Sequence, residues 1–257
     1  MRNSVSILYE DEDILVINKP AGLVVHSDGR TKEPTLVEWI LKKYPKIRGV
    51  GDPVPSELDA KRFTLNASDL RPGIVHRLDR ETSGALIIAK NQEAFYRMKH
   101  QFKKQEVHKT YHAFVYGRMK HDDGLIDRPI ARSRTNPVLW SATRGRKGED
   151  RPAVTEYRVL RRGSAHTFVE LYPRTGRTHQ LRVHLKAINY PIVSDKLYAP
   201  NHEPALGFTR LALHSKIISF MLADGKRVSV EAPYPADFLA AQKLLEKSNT
   251  QAPNTKQ

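Results

Sequence analysis

The sequence predicts an α+β protein, with a largely antiparallel, mixed β-sheet core flanked by helices and loops. Three observations predict it. Strand-like runs outnumber helical ones, they follow one another in hairpin order, and no repeat of solenoid period is present. The 257 residues are read as one domain over residues 1–246, ending in a polar, disordered tail over 247–257.

The elements follow in order. "SILYEDEDILVINKP" reads as a hairpin, with strands at Ile7–Tyr9 and Ile14–Asn18 turned by the acidic cluster between them. "TLVEWILKKY" places Leu36, Trp39 and Ile40 at helical spacing behind Thr35 as N-cap. Residues 45–73 are rich in Pro, Gly, Asp and Ser, and read as a long connection with one short element. "GALIIAK" is a buried strand by its unbroken apolar run. Asn91 caps a helix through Gln105, with Phe95, Met98 and Phe102 on one face. "HKTYHAFVYGR" alternates as a half-buried strand does, and "GSA" joins "AVTEYRVLRR" to "HTFVELYP" as a hairpin. Thr178 caps a helix that carries His179, Arg182 and Lys186 on one face. "LALHSKIISFML" and "RVSVEAP" return to strand, and residues 236–246 form a helix with Phe238, Leu239, Leu244 and Leu245 inward.

Composition narrows the function. The formal net charge is +15 and the pI about 9.9, which suits a polyanionic partner. From Arg128 to Arg162 there are ten Lys or Arg against three acids. Such a concentration fits phosphate contact, and a solubilising surface would look the same. Cysteine is absent, which excludes disulfides, thiolate metal sites and cysteine nucleophiles. The N-terminal residues carry no signal-peptide apolar region, and no apolar run approaches the ~20 residues of a membrane span. The expectation is a cytoplasmic protein with no membrane partner, monomeric by default.

Two stretches crowd functional side chains together. In "GIVHRLDRETSG", residues 73–84, His76, Arg77 and Asp79 sit on a short loop leading into a buried strand. An aspartate there serves equally well as the acceptor of an Asx-turn. In "RTGRTHQLRVH", residues 174–184, Arg174, Arg177, His179 and Arg182 gather round a helix start, where a guanidinium fork can clamp a carboxylate or phosphate. They could equally bind solvent or backbone carbonyls. His179 and His184 are five apart rather than four, with no acid at ligand spacing, so no metal is predicted. Neither a phosphate-cradling glycine loop nor a G-x-S-x-G elbow occurs. Chemistry on a polyanion without a cofactor is the expectation.

"HRLDRETSG" and "RTGRTHQLRVH", with "ILYEDEDILVINKPAGLVVH", "KTYHAFVYG" and "RPAVTEYRVL" in order between and before them, resemble the RluA-type family of RNA pseudouridine synthases. The resemblance runs from about Ile7 to Phe238. It implies isomerisation of uridine in ribosomal or transfer RNA to pseudouridine, with neither cofactor nor metal. It implies Asp79 as catalytic carboxylate, Tyr111 as the ring packed on the target base, and Arg182 as the partner of the aspartate. Arg77 would fill the gap left in the RNA stack when the target base swings out. His76, Arg174, Arg177, His179, Arg132, Arg134, Arg144, Arg146 and Lys147 complete the RNA-binding candidates. Many members carry an RNA-binding module ahead of the catalytic domain. Here the hairpin begins within the first ten residues, so the module is expected to be missing and substrate choice to fall to loops around 45–73 and 128–152. A basic RNA binder without catalysis and a metal-dependent phosphoester hydrolase are the competing classes.

Overall fold

A computed structural model describes residues 4–26, 33–52, 71–136, 138–143 and 146–250, with the side chains of 248–250 excepted. The chain divides into two compact units, Met1–Val107 with Ile218–Ala232, and His108–Ile217 with Pro233–Gln257.

The first unit opens with strands β1 (Ser6–Glu10) and β2 (Ile14–Lys19), helix α1 (Leu36–Lys43), strand β3 (Ser83–Ala89) and helix α2 (Gln92–Lys104). The hairpin expected from the acidic cluster is present, and the acids explain its turn. Asp11 Oδ1 accepts the main-chain N–H groups of Asp13 (2.8 Å) and Ile14 (2.6 Å), supplying the acceptor that the tight turn needs. β2 and β3 pair antiparallel from Ile14↔Ala89 to Lys19↔Gly84. Both are apolar runs with no polar alternation because neither has a wet face: Leu15, Val16, Ile17, Leu86, Ile87 and Ile88 are wholly buried. Thr35 caps α1 by accepting from Glu38 N–H, and Asn91 caps α2 by accepting from Ala94 N–H. Gln105 ends α2 in the left-handed region, at φ +60°.

The second unit carries β4 (His108–Tyr116), β5 (Asp123–Asp127), β6 (Ile130–Ser133), β7 (Trp140–Ser141), β8 (Arg146–Arg151), β9 (Val154–Arg162), β10 (His166–Pro173) and α3 (Gln180–Ala187). β11 (Leu213–Met221) begins in the second unit and ends in the first; β12 (Arg227–Glu231) belongs to the first, and α4 (Ala236–Thr250) to the second. In the first unit the strand order is β1-β2-β3-β11, with β12 on β11; in the second it is β11-β4-β10-β9-β5. The pairings β1–β2, β2–β3, β4–β10, β9–β10 and β5–β9 are all antiparallel.

Three expectations are corrected. The basic stretch 128–152, read as loop, folds into an antiparallel sheet of order β7-β6-β8, with Arg132 opposite both Trp140 and Lys147. Its inner residues Ile130 and Ala142 pack with Ala153, Val183 and Tyr198. The helix after "RTGRT" starts at Gln180, so Thr178 is not its cap. His179 holds that place at φ +56° with no capping side-chain bond, and leaves the helical face it was expected to share with Arg182. On α4, Phe238, Ala241 and Leu245 are buried at helical spacing, whereas Leu239 and Leu244, one residue off that stripe, are 48% and 45% exposed. α4 also continues past residue 246 to Thr250; the remainder of the expected tail, 251–257, lies outside the described residues, as does 53–70 of the long connection. Among the described residues no helix is long and apolar enough to cross a membrane.

Candidate active site

In the first unit the stretch before Asp79 is laid against β3. Gly73, at φ +67°, donates its N–H to Val50 O and accepts from Ala89 N–H (2.9 Å), and Ile74 bridges to Ile88. A Cβ on Gly73 would lie 2.2 Å from Ala89 O, so only glycine permits the approach. Ile87 N–H donates to His76 Nε2 at 2.9 Å, and the imidazole lies 4.8 Å from the Phe102 ring of α2. A ring nitrogen that accepts a main-chain N–H carries no proton, so this imidazole ties the loop to the strand in its unprotonated form.

The turn itself is held through its main chain. Thr82 N–H donates to Asp79 O at 3.1 Å. Arg80 O accepts from Gly22 N–H (2.9 Å) and from Lys19 Nζ (3.0 Å). Lys19 is wholly buried, and its ammonium also donates to Pro20 O and Leu23 O, both at 2.9 Å. Leu78 points inward at 4% exposure, Arg77 is exposed, and Asp79 is half-buried. The Arg80 side chain pairs with Glu33 at 2.6 Å on the surface. The product is a turn fixed through its main chain, carrying a half-buried aspartate.

In the second unit Tyr111 is buried at 9% exposure on β4, opposite Leu171 of β10. Lys109, two residues before it and on the same side of the strand, is desolvated enough to push its ammonium down to about 8. Arg182 is buried on α3. Its Nε and Nη2 donate to Asp195 Oδ2 (2.8 Å) and Oδ1 (2.7 Å), and the Tyr198 ring lies 4.9 Å from the guanidinium carbon. Tyr198 Oη accepts Trp140 N–H at 3.1 Å and bonds His179 Nδ1 at 2.8 Å. Gln180 ties the loop to β9: its Oε1 accepts from Thr175 Oγ1 and Arg177 N–H, and its Nε2 donates to Val154 O and Thr155 Oγ1. His184, wholly buried, bonds Thr155 Oγ1 and Arg128 O; burial pushes it below its ordinary value, which suits a structural histidine.

The RNA-binding candidates are differently placed. Arg132 stacks over Trp140 at 4.3 Å, and Lys147 on β8 and Arg134, just after β6, are exposed. Arg146 is paired with Asp150, and Arg174 holds Glu156 in a fork with both bonds at 2.9 Å. Arg177 Nε donates to Pro152 O. Arg144 lies outside the described residues. Arg182 and His179 meet round Tyr198, while Asp79, Arg77 and His76 share the other unit. Asp195, Tyr198, Gln180 and Lys19 escaped the sequence reading. Only the crowding of polar residues in "RTGRTHQLRVH" hinted at Gln180. Among the described residues no three His, Asp or Glu gather as a metal site.

An antiparallel α+β scaffold with a basic sheet and a carboxylate on a fixed turn is compatible with an enzyme acting on RNA. The family model described as RNA pseudouridylate synthase matches residues 13–187, and the chain belongs to that family, in its RluA-type branch. It is 37% identical over 243 residues to an uncharacterized RNA pseudouridine synthase of Bacillus subtilis, covering 94% of this chain and 73% of that one. It is also 37% identical over 251 residues to the ribosomal large subunit pseudouridine synthase D of Pseudomonas aeruginosa, covering 93% and 71%. Human RNA pseudouridylate synthase domain containing 1 superposes with a TM-score of 0.71 at 26% identity, covering 98% of this chain and 97% of that one. The protein is thus an RNA pseudouridine synthase, an isomerase whose substrate is RNA.

Proposed function

We propose that Asp79 is the carboxylate that drives the isomerisation. The bond between uracil N1 and ribose C1′ breaks, the base turns, and C5 bonds to C1′ while the C5 proton departs and N1 regains one. The exchange is redox-neutral. The family resemblance gives Tyr111, held by strand pairing, the part of packing on the base near the departing proton, and Arg182 the part of partner to Asp79. Extracting the target base costs a few kcal/mol of stacking, and the flat guanidinium of exposed Arg77 replaces it in the stack. Arg132, Arg134 and Lys147 grip phosphates, positioning RNA without reading it. The relatives named for the ribosomal large subunit favour ribosomal RNA of that subunit as substrate.

The observation that carries this reading is the turn at Asp79. Three main-chain or buried-lysine bonds fix it, and Asp79 remains half-buried. The test is tritium release from RNA labelled at uracil C5. The wild-type protein should release it, and Asp79→Asn should lower release by at least ~1000-fold with RNA affinity within ~3-fold. An Asp79→Asn variant that releases tritium at the wild-type rate removes Asp79 from the chemistry. Mapping pseudouridines in RNA from cells lacking the gene identifies the substrate uridine.

A further inference from the structure

Arg182 is seated with unusual completeness. Asp195 is 1% exposed and takes Nε and Nη2 at 2.8 and 2.7 Å. Its Oδ1 also accepts the N–H groups of Leu197 and Tyr198, both at 3.1 Å, so the carboxylate cannot swing without breaking main-chain bonds. Its own main chain is fixed by Asp195 N–H to Ile192 O and by Ala199 N–H to Asp195 O at 2.8 Å. Tyr198 then lies against the guanidinium, and that tyrosine is pinned at its hydroxyl by Trp140 N–H and His179. Two-point pairing fixes the plane of the guanidinium, and the ring limits its tilt.

A buried ion pair is a poor way to gain stability, because the desolvation of both charges offsets their attraction and apolar residues of similar volume often do as well. A carboxylate and a ring set against one guanidinium, each itself pinned by further bonds, are better accounted for by a need for its direction.

We infer that Asp195 is a positioning residue for the isomerisation: it acts through Arg182, holding the guanidinium in the one orientation that serves the reacting nucleotide, with Tyr198 as the second support. This rests on the proposed part of Arg182 in catalysis.

The test is a double-mutant cycle in kcat and KM on uridine-containing RNA, using Asp195→Asn, Arg182→Gln and the double variant, beside Asp195→Glu. Asp195→Glu keeps the charge and displaces the guanidinium by a methylene, so it should fold and lose at least ~10-fold in kcat with KM within ~2-fold, since an ångström of misplacement is worth up to about 100-fold. The double variant, in which two amides replace the ion pair, should be no slower than Arg182→Gln alone. Independent, multiplying losses would overturn the inference, as would Asp195→Glu at wild-type kcat while Arg182→Gln is impaired. Arg182→Gln at wild-type kcat would instead overturn the catalytic assignment of Arg182 beneath it. Should Asp195→Asn alone fail to fold, Asp195→Glu and the double variant still decide.

Discussion

Asp79 and Asp195 both lie at turns, one in each unit, and they differ in how far they are buried. At Asp79 main-chain bonds fix the turn: Asp79 O and Arg80 O are acceptors, with Lys19 and Gly22 among the donors, and the residue is half-buried. Around Asp195 the main chain is tied as well, and the carboxylate is saturated: its two oxygens take four donors at 1% exposure. The difference separates two uses of one residue type. An acid that organises structure is best sealed and saturated. An acid that meets a substrate must be reachable, so its rigidity has to come from its neighbours.

The contrast is sharpest in stability. Asp195→Leu strands a buried guanidinium and should cost ~3–5 kcal/mol, more than Asp79→Ala, which removes a half-buried side chain. Urea unfolding of the two variants checks this, and equal losses would erase the distinction. Next comes the clamp on the catalytic turn. Lys19→Met takes a donor from three main-chain carbonyls and should cost on the order of 3 kcal/mol. It should also raise amide exchange at Gly22 and Thr82; unchanged exchange would show that the turn does not depend on the lysine.

The smallest effect has the opposite sign. Lys109 titrates at about 8 when folded against an ordinary 10.5, so between those values the unfolded chain binds the extra proton and stability rises with pH. Below pH 8 the native state carries the full cost of burying the charge. Lys109→Met should therefore stabilise the protein at pH 7 by ~2 kcal/mol and flatten the rise between pH 8 and 10.5. Urea midpoints at pH 7, 9 and 10.5 measure it; a variant with the wild-type slope would mean the ammonium is not desolvated. Glu170 behaves in the reverse sense. Burial would raise it, but bonds from Tyr172, His112 and Arg158 outweigh burial and hold it below the usual carboxylate range, so its contribution fades as acid protonates it.

Much of this was legible in the sequence because local chemistry decided it. The β1–β2 hairpin follows from the acids of "YEDED", α1 and α2 from Thr35 and Asn91, and β3 from an unbroken apolar run. The loop carrying Asp79 announced itself by His76, Arg77 and Asp79 crowding before a buried strand. What escaped depends on partners distant in sequence. β8, "RKGEDR", has no apolar residue to set a period, and becomes a strand only because Arg132 and its neighbours supply a ladder. Asp195 sits in "PIVSDKLYAP" with no motif around it, and its partner is thirteen residues away. His179 rather than Thr178 stands at the cap, and the Gln180 amide that follows it satisfies β9 and the loop together. Leu239 and Leu244 were apolar without being core, since a single rotation step moves a residue off the buried stripe of α4.

Single-turnover conversion of uridine to pseudouridine by Asp79→Asn, read by nucleoside chromatography beside the thermal midpoint of the same sample, goes to the heart of the matter. A fully folded variant, melting within ~3 °C of wild type and forming no pseudouridine, is the expected result. Normal conversion by that variant, or an inactivity that merely tracks lost folding, would contradict the assignment of Asp79 as the reacting carboxylate.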